Sequence, residues 1–149
     1  MLFFIAGMKP IKYATAFVIY KENRSEFLIV QRPFDDEDLP NIWGLPAGSV
    51  KENESFKEAV IRSGREKLGI ELKVIKSIGK DIIDRGDYIL NMQEYEVEII
   101  SGEPRVPQLI QGITQYQHLL WGNSSDLKDA ANKGSLCSRI YLTSINERW

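Results

Sequence analysis

The alternation of apolar and polar residues predicts most of the strands. Residues 12 to 20, KYATAFVIY, and 27 to 31, FLIVQ, are rich in β-branched and aromatic residues and are separated by the polar KENRSE, so they predict a hairpin. Residues 72 to 83 and 88 to 100 predict two more strands joined across DRGD, and residues 116 to 121 predict another. The chain therefore contains a sheet.

Helical spacing replaces this alternation in the middle of the chain. Phe56, Val60 and Leu68 recur at multiples of four residues, which is the spacing of one face of an α-helix. Gly69 follows as a stop, since glycine is common just past the end of a helix. The pattern predicts a helix over residues 54 to 68.

The remaining segments predict a long loop and a second helix. Residues 32 to 48, RPFDDEDLPNIWGLPAG, are rich in Pro, Gly, Asp and Asn, with a short strand around residues 43 to 45. Residues 124 to 132 begin with capping residues and predict a helix, whereas residues 135 to 146 fit either helix or strand. Hairpin-linked strands with helices between them indicate an α/β fold, in which a mixed sheet is covered on both faces.

Composition limits the size and class of the protein. A chain of 149 residues, 43% of them hydrophobic, supports one ordinary core, so residues 1 to 149 are expected to form a single domain. The 19 basic and 21 acidic residues give a net charge of -2, which argues against binding to a nucleic acid duplex or an anionic membrane. The only cysteine, Cys137, excludes an internal disulfide and fits a reducing compartment, so a cytoplasmic protein is expected.

Two further features exclude other classes. The opening MLFFIA is apolar, but it has no basic leader and is too short to span a bilayer, so a docked terminus or an edge strand is expected. His118 is the only histidine, which excludes a metal centre built from several histidines. A lone histidine in YQHLLW is more often a strand residue than a general base.

The stretch from residue 48 to residue 70 carries the candidate chemistry. The glycine-bearing loop LPAGSVKENE leads into the predicted helix, on which residues three and four apart share a face. Four residues are therefore predicted to project together: Ala59, Ser63, Glu66 and Lys67. Arg62 lies four residues from both Glu58 and Glu66, so it can orient either carboxylate.

This stretch resembles the signature of the Nudix hydrolases, the MutT-like superfamily. The signature reads glycine, five residues, glutamate, seven residues, then Arg-Glu-apolar-any-Glu-Glu-any-Gly-apolar. Six of its fixed positions coincide without a gap: Gly48, Glu54, Arg62, Glu66, Gly69 and Ile70. The resemblance is specific over residues 43 to 70 and implies a Nudix-like α/β/α sandwich with a mixed β-sheet.

Three departures from the signature weaken the metal site that the resemblance implies. Ser63 and Lys67 stand where the family has glutamates that bind Mg²⁺ or Mn²⁺, and Gly64 replaces an apolar residue. The formal charge of the three acidic positions changes from three negatives to zero, so weak or substrate-dependent binding of Mg²⁺ or Mn²⁺ is expected. Gly64 costs up to about 1 kcal/mol in a helix interior and leaves an apolar gap unless a neighbour fills it.

The first functional hypothesis is a weakened hydrolase of a nucleoside diphosphate linked to another moiety. By resemblance, Glu66 and the carbonyl of Gly48 would bind the metal, and Glu54 and Arg62 would brace the loop and helix beside them. Further carboxylates are available from the flank of the signature or from one strand face: Glu52, Glu54 and Glu58, or Glu94, Glu96 and Glu98.

The second hypothesis is a non-catalytic module that binds a nucleotide diphosphate. Here the Lys67 ammonium replaces the charge of the metal and binds the diphosphate together with one of three arginines: Arg32, Arg62 or Arg65. Trp43 is a candidate for stacking on a nucleobase, with a core position as the alternative. A purely structural or protein-interaction domain is a third hypothesis. The expected partner is a small nucleotide or nucleoside diphosphate derivative, and a homodimer is left open.

Overall fold

The computed structural model describes residues 8 to 149, so the predicted docking of the opening MLFFIA lies outside the described residues. Within residues 8 to 149 there are seven strands: β1 Ile11–Ile19, β2 Phe27–Gln31, β3 Trp43–Gly44, β4 Ala47–Ser49, β5 Glu71–Asp84, β6 Ile89–Ser101 and β7 His118–Gly122. The α-helices of the same range are α1 Phe56–Ser63, α2 Lys128–Asn132 and α3 Leu136–Ser144. A π-helical turn, Gly64–Leu68, follows α1 directly, and a 3₁₀ helix, Ser124–Leu127, precedes α2.

The strands form two sheets. The larger sheet has the order β4-β1-β6-β5, and the smaller has the order β3-β2-β7. β1 and β6 run parallel, with Ala16 beside Glu94, whereas the other pairs are antiparallel. The mixed α/β architecture is confirmed, as is the hairpin between β5 and β6.

The predicted hairpin between the first two strands is wrong. β1 and β2 share one bridge, between Tyr20 and Phe27, and otherwise belong to different sheets. Residues 16 to 19 and residues 27 to 30 are buried without alternation. Strands buried on both faces need apolar neighbours on both sides. The turn between β1 and β2 therefore connects the two sheets.

The helix of the signature is shorter and less regular than its spacing predicts. Its start is fixed by a capping box, in which Ser55 accepts the Glu58 N–H and the Glu58 carboxylate accepts the Ser55 N–H. The regular helix ends at Ser63, and the π-helical turn then ends at Gly69, which has a φ of 70°. A Cβ at Gly64 would lie 2.6 Å from Leu72 Cδ1, so Leu72 fills the apolar gap that Gly64 leaves.

Apolar clusters cover both faces of the larger sheet. The cluster on the α1 side contains Val60 and Tyr95, and the cluster on the α3 side contains Met92 and Ile140. The ambiguous segment near the C-terminus is thus a helix that covers one face. None of the helices within residues 8 to 149 has the length and apolar composition that crossing a bilayer requires.

Candidate functional site

One arginine ties the glycine loop to the helix that follows it. Arg62 donates to both carboxylate oxygens of Glu54, at 2.8 and 2.9 Å, and to Glu66 Oε1 at 2.7 Å. It also donates to the carbonyl of Ser49 at 2.5 Å. These hydrogen bonds from Arg62 hold the pKa of Glu54 below its ordinary value, against a smaller opposing effect of burial. Arg62 therefore orients Glu54 and Glu66, whereas Glu58 serves the capping box instead.

Ser63 is turned inward beneath the glycine loop. It is fully buried, and its Oγ has no hydrogen-bond partner among the described residues. A Cβ built on Gly48 would lie 2.0 Å from that Oγ, so Gly48 and Ser63 pack directly against each other. The predicted common face is therefore wrong for Ala59 and Ser63, which are buried, while Glu66 and Lys67 are partly exposed. The π-helical turn after Ser63 is the reason, because its wider turns change the direction of the residues that follow.

Lys67 is fixed beside the same loop. Its Nζ donates to the carbonyl of Ala47 at 2.7 Å and lies 5.3 Å from the centroid of the Tyr116 ring. The Tyr116 hydroxyl donates to the Ala47 carbonyl at 3.0 Å and accepts the Ala47 N–H at 2.9 Å. An ammonium has three donors, so Lys67 keeps donors for a ligand while one contact holds it in place.

Lys67 and Gly48 line a cleft of about 800 Å³. The other lining side chains include cations, acids and apolar groups: Lys12 and Arg32, residues 35 to 38, and Ala14, Leu90, Met92 and Ile113. Arg32 Nη1 donates to Asp36 Oδ2 at 3.1 Å. Burial raises the pKa of Asp36, but the Leu39 N–H and the Arg32 guanidinium outweigh it, and the net pKa is lowered. The cleft thus brings two predicted cations, Arg32 and Lys67, to one space.

The other predicted substrate-binding residues lie elsewhere. Arg65 is exposed, and its Nε donates to Glu71 Oε1 at 2.7 Å. Trp43 lies in β3 and packs against the apolar cluster on the α3 side. Neither residue lines the cleft. Their roles in substrate binding stay predictions.

The residues present do not fit a carboxylate-rich metal site. Among residues 8 to 149 there is no group of three or more His, Cys, Asp or Glu that could bind a metal ion. The Glu66 carboxylate is engaged by Arg62, and of the extra carboxylates predicted on β6, Glu96 and Glu98 line a different cleft that contains neither Gly48 nor Lys67. Glu94 is buried on the α3 side, and Glu96 accepts two hydrogen bonds of 3.0 Å from Arg24. Hard divalent cations favour several oxygen ligands, and this chain offers few at the loop.

Two contacts of the site have no counterpart in the sequence analysis. Tyr116 anchors Ala47, and the Gln115 side chain donates to the carbonyl of Glu66 at 3.1 Å. Both residues come from the segment before β7, which carries no motif. Their position beside the signature depends on the pairing of β7 with β2, and local sequence spacing does not contain that information.

Comparison with known proteins places this geometry in a family. Residues 10 to 106 match the family model described as "NUDIX domain". A Mycobacterium tuberculosis (strain ATCC 25618 / H37Rv) protein with the name "Putative 8-oxo-dGTP diphosphatase 2" is 32% identical over 105 residues, which cover 68% of this chain and 67% of that protein. The CTP pyrophosphohydrolase of Escherichia coli (strain K12) is 28% identical over 95 residues, which cover 64% of this chain and 67% of that protein.

Solved structures show the same fold. The crystal structure of the MutT protein from Methanosarcina mazei Go1 superposes with a TM-score of 0.70 at 19% identity, over 93% of this chain and 95% of that chain. A MutT NUDIX hydrolase from Burkholderia pseudomallei superposes with a TM-score of 0.65 at 26% identity, over 79% of this chain and 87% of that chain.

Proposed function

This chain belongs to the Nudix family, and from that premise we propose that it binds a nucleoside diphosphate linked to another moiety and hydrolyses it weakly. The observation that carries the proposal is the cleft, in which Arg32 and Lys67 line the same space as Gly48 of the signature. The relatives named for 8-oxo-dGTP and CTP support a nucleotide as the ligand.

The two cations are suited to the two phosphates of such a ligand. Lys67 keeps free donors beside the glycine loop, and Arg32 uses one nitrogen on Asp36 and retains other N–H donors. A guanidinium can bind phosphate oxygens with two donors, whereas an ammonium acts as a compact point charge. Together they would neutralise part of the charge of a diphosphate, although Arg32 is also paired with Asp36.

Weak hydrolysis follows from the donor set. By resemblance, Glu66 and the Gly48 carbonyl are the surviving metal ligands, and Glu54 and Arg62 brace them. Mg²⁺ or Mn²⁺ would supply charge neutralisation and an activated water in this family. Ser63 and Lys67 provide no carboxylate, so we expect little affinity for the metal and a slow reaction.

A second candidate function is binding without hydrolysis. The observation that favours it is the 2.7 Å contact from Lys67 Nζ to the Ala47 carbonyl, which places a fixed positive charge next to Gly48. A resident cation there repels a metal ion in the same space. The chain would then act as a nucleotide-diphosphate binding module, for example in regulation.

One experiment separates the two functions. The protein is incubated with nucleoside triphosphates, dinucleoside polyphosphates and nucleotide sugars, in Mg²⁺, Mn²⁺ or a chelator, and both turnover and binding are measured. Metal-dependent turnover supports the weak hydrolase. Saturable binding without turnover supports the binding module, and the absence of both contradicts both functions.

Lys67→Gln is expected to weaken diphosphate binding. Loss of the ammonium removes one charge-assisted contact, so the affinity for inorganic pyrophosphate in chelator should fall about tenfold. Isothermal titration calorimetry measures the change. Lys73→Gln is the matched control, because Lys73 is exposed on β5 and does not line the cleft. An unchanged affinity in Lys67→Gln would remove Lys67 from the proposed phosphate site.

Lys67→Glu is expected to strengthen the binding of a divalent metal ion. The substitution replaces a positive charge by a carboxylate beside Glu66 and the Gly48 carbonyl, and a charge pair about 4 Å apart is worth roughly 4 kcal/mol before desolvation at an effective dielectric near 20. After desolvation we expect the affinity for Mn²⁺ to rise about tenfold. Titration calorimetry with Mn²⁺ alone is the measurement, and no gain in affinity would contradict the placement of this side chain.

A further inference from the structure

The segment between β6 and β7 presents apolar side chains to solvent beside the cleft. Residues 102 to 117 contain no helix or strand, and Leu109 and Ile110 are 98% and 41% exposed. Ile113, three residues further on, lines the cleft. A single exposed apolar residue needs no explanation, but two exposed residues and a half-buried one within five positions at the rim of a binding cleft do. Loops of this length without regular structure are usually either functional or mobile.

The base of this loop is firmly attached to the signature. The Gln115 amide nitrogen donates to the carbonyl of Glu66 at 3.1 Å, and its oxygen accepts the Gln108 N–H at 2.8 Å. The Arg105 N–H donates to the carbonyl of Leu68 at 3.0 Å. Both ends of the loop tip, residues 109 to 114, are therefore fixed against the π-helical turn.

The tip itself is weakly attached. Within the part of the chain that the structure describes, residues 111 and 112 form a local turn, and no hydrogen bond joins residues 109 to 114 to residues outside the tip. Segments with few hydrogen bonds and exposed apolar side chains open and close at low cost in free energy. A weak tip on a fixed base can therefore change position while Gln108 and Gln115 keep their contacts.

The lining of the cleft divides by chemistry. Arg32 and Lys67 suit phosphates, whereas Ala14, Leu90 and Met92 offer an apolar surface. A nucleoside diphosphate derivative has the same division between its phosphates and its base. This apolar surface is partly open to water, because Ala14 and Leu90 are half-buried while Met92 is buried. Bound apolar groups are stabilised in proportion to the area removed from water.

We infer that Leu109, Ile110 and Ile113 form a subsite for the planar or apolar group joined to the diphosphate, with the tip closing over that group. The inference rests on the proposed function and adds the element that would distinguish a nucleoside diphosphate from free diphosphate. Closure moves Leu109 and Ile110 out of water against the bound group, and Gln115 keeps the closed tip in register with Glu66.

The test compares nucleoside diphosphates with pyrophosphate on the wild type and on one double variant. Wild-type protein and the double variant Leu109→Ser with Ile110→Ser are titrated in chelator with ADP, GDP, CDP and UDP, and with inorganic pyrophosphate. The wild type should bind at least one nucleoside diphosphate about tenfold more tightly than pyrophosphate, and the double variant should lose most of that difference. The affinity of the double variant for pyrophosphate should stay within about twofold of the wild type, since the cations are unchanged.

Ile100→Ser is the matched control, because Ile100 is 66% exposed on β6 and does not line the cleft. A double variant that keeps the full advantage of the nucleoside diphosphate would overturn the inference. A wild type that binds pyrophosphate and nucleoside diphosphates equally would also overturn it, while the phosphate site stands. A wild type that binds neither ligand contradicts the proposed function as well.

Hydrogen exchange provides a second measurement on the wild type. Amides of residues 109 to 114 should gain protection with the nucleoside diphosphate that binds most tightly, and should gain none with pyrophosphate. Equal protection with both ligands, or none with either, would contradict closure of the tip over the nucleoside.

Discussion

Gly48→Ala is expected to destabilise the protein by about 3 kcal/mol, because the added methyl group has no room. A Cβ at this position would lie 2.0 Å from Ser63 Oγ and 3.1 Å from Ser63 Cβ. Ser63 is fully buried, and its neighbour Arg62 fixes the helix through Glu54 and the Ser49 carbonyl. Neither side of the contact can move away without breaking these bonds. Urea denaturation measures the loss as a lower midpoint at an unchanged slope.

A second substitution identifies the cause of the loss. Ser63→Ala removes the clashing oxygen, which has no hydrogen-bond partner among the described residues. Alone, it should therefore be neutral or stabilise by up to about 1 kcal/mol. Combined with Gly48→Ala, it should restore at least about 1.5 kcal/mol beyond its effect alone, and this excess is the coupling energy between two residues in contact.

Gly44→Ala is the matched control. Gly44 lies in β3, and a Cβ there would meet its nearest neighbour, Ser138 Oγ, at 3.9 Å. That distance is an ordinary contact, so the substitution should change the stability by less than about 1 kcal/mol. If Gly48→Ala proves no more damaging than this control, the packing of Ser63 under the glycine loop is wrong.

The sequence predicts those parts of the fold that depend on neighbours along the chain. The β5–β6 hairpin and the stop at Gly69 are such parts, since turn residues and a left-handed glycine act locally. Separation of β1 and β2 into two sheets is different, because the choice of partner strands is decided by β4, β6 and β7. Runs of buried residues in both strands are compatible with a hairpin or with two sheets, and sequence alone does not distinguish them.

The same division applies to the candidate site. Arg62 bonds to Glu54 and Glu66 at the spacing of the signature. Burial of Ser63 is not predictable in this way, because the π-helical turn after it breaks the periodicity on which the common face was based. The single domain, the cytoplasmic location and a homodimer stay predictions.

Glu94→Met is expected to stabilise the protein by at least about 2 kcal/mol at pH 8, since it removes a buried carboxyl group that has no hydrogen-bond partner among the described residues. Glu94 is fully buried in the apolar layer between β6 and α3, and both of its oxygens lack hydrogen bonds among the described residues. Ala16 and Gly79 lie beside Glu94 on the neighbouring strands. The titratable groups of α3 that interact electrostatically with Glu94 are Cys137 and Tyr141. Burial is the main reason that the pKa of Glu94 is raised well above its ordinary value.

The direction of the pH dependence follows from this raised pKa. The folded protein retains the Glu94 proton at a pH where the unfolded chain has lost it, so the contribution of Glu94 to stability is fully present below the ordinary carboxyl pKa, about 4.3. Above that pH, the free energy of unfolding should fall by about 1.4 kcal/mol per pH unit until the folded pKa is reached. The Glu94→Met variant has no titratable group at this position, so its free energy of unfolding should not show this fall with pH.

Urea denaturation of the wild type and of Glu94→Met between pH 4 and pH 8 tests both the gain in stability and its pH dependence, because the gain should grow with pH. Glu98→Met is the control, since Glu98 is an exposed carboxylate on the same strand and should change neither the stability nor the slope by much. A difference between wild type and Glu94→Met that is constant with pH would mean that Glu94 is ionised in the folded protein. In that case a partner must satisfy the carboxylate, and the buried face of β6 would be more polar than the packing of Ala16, Gly79 and Ile140 around it indicates.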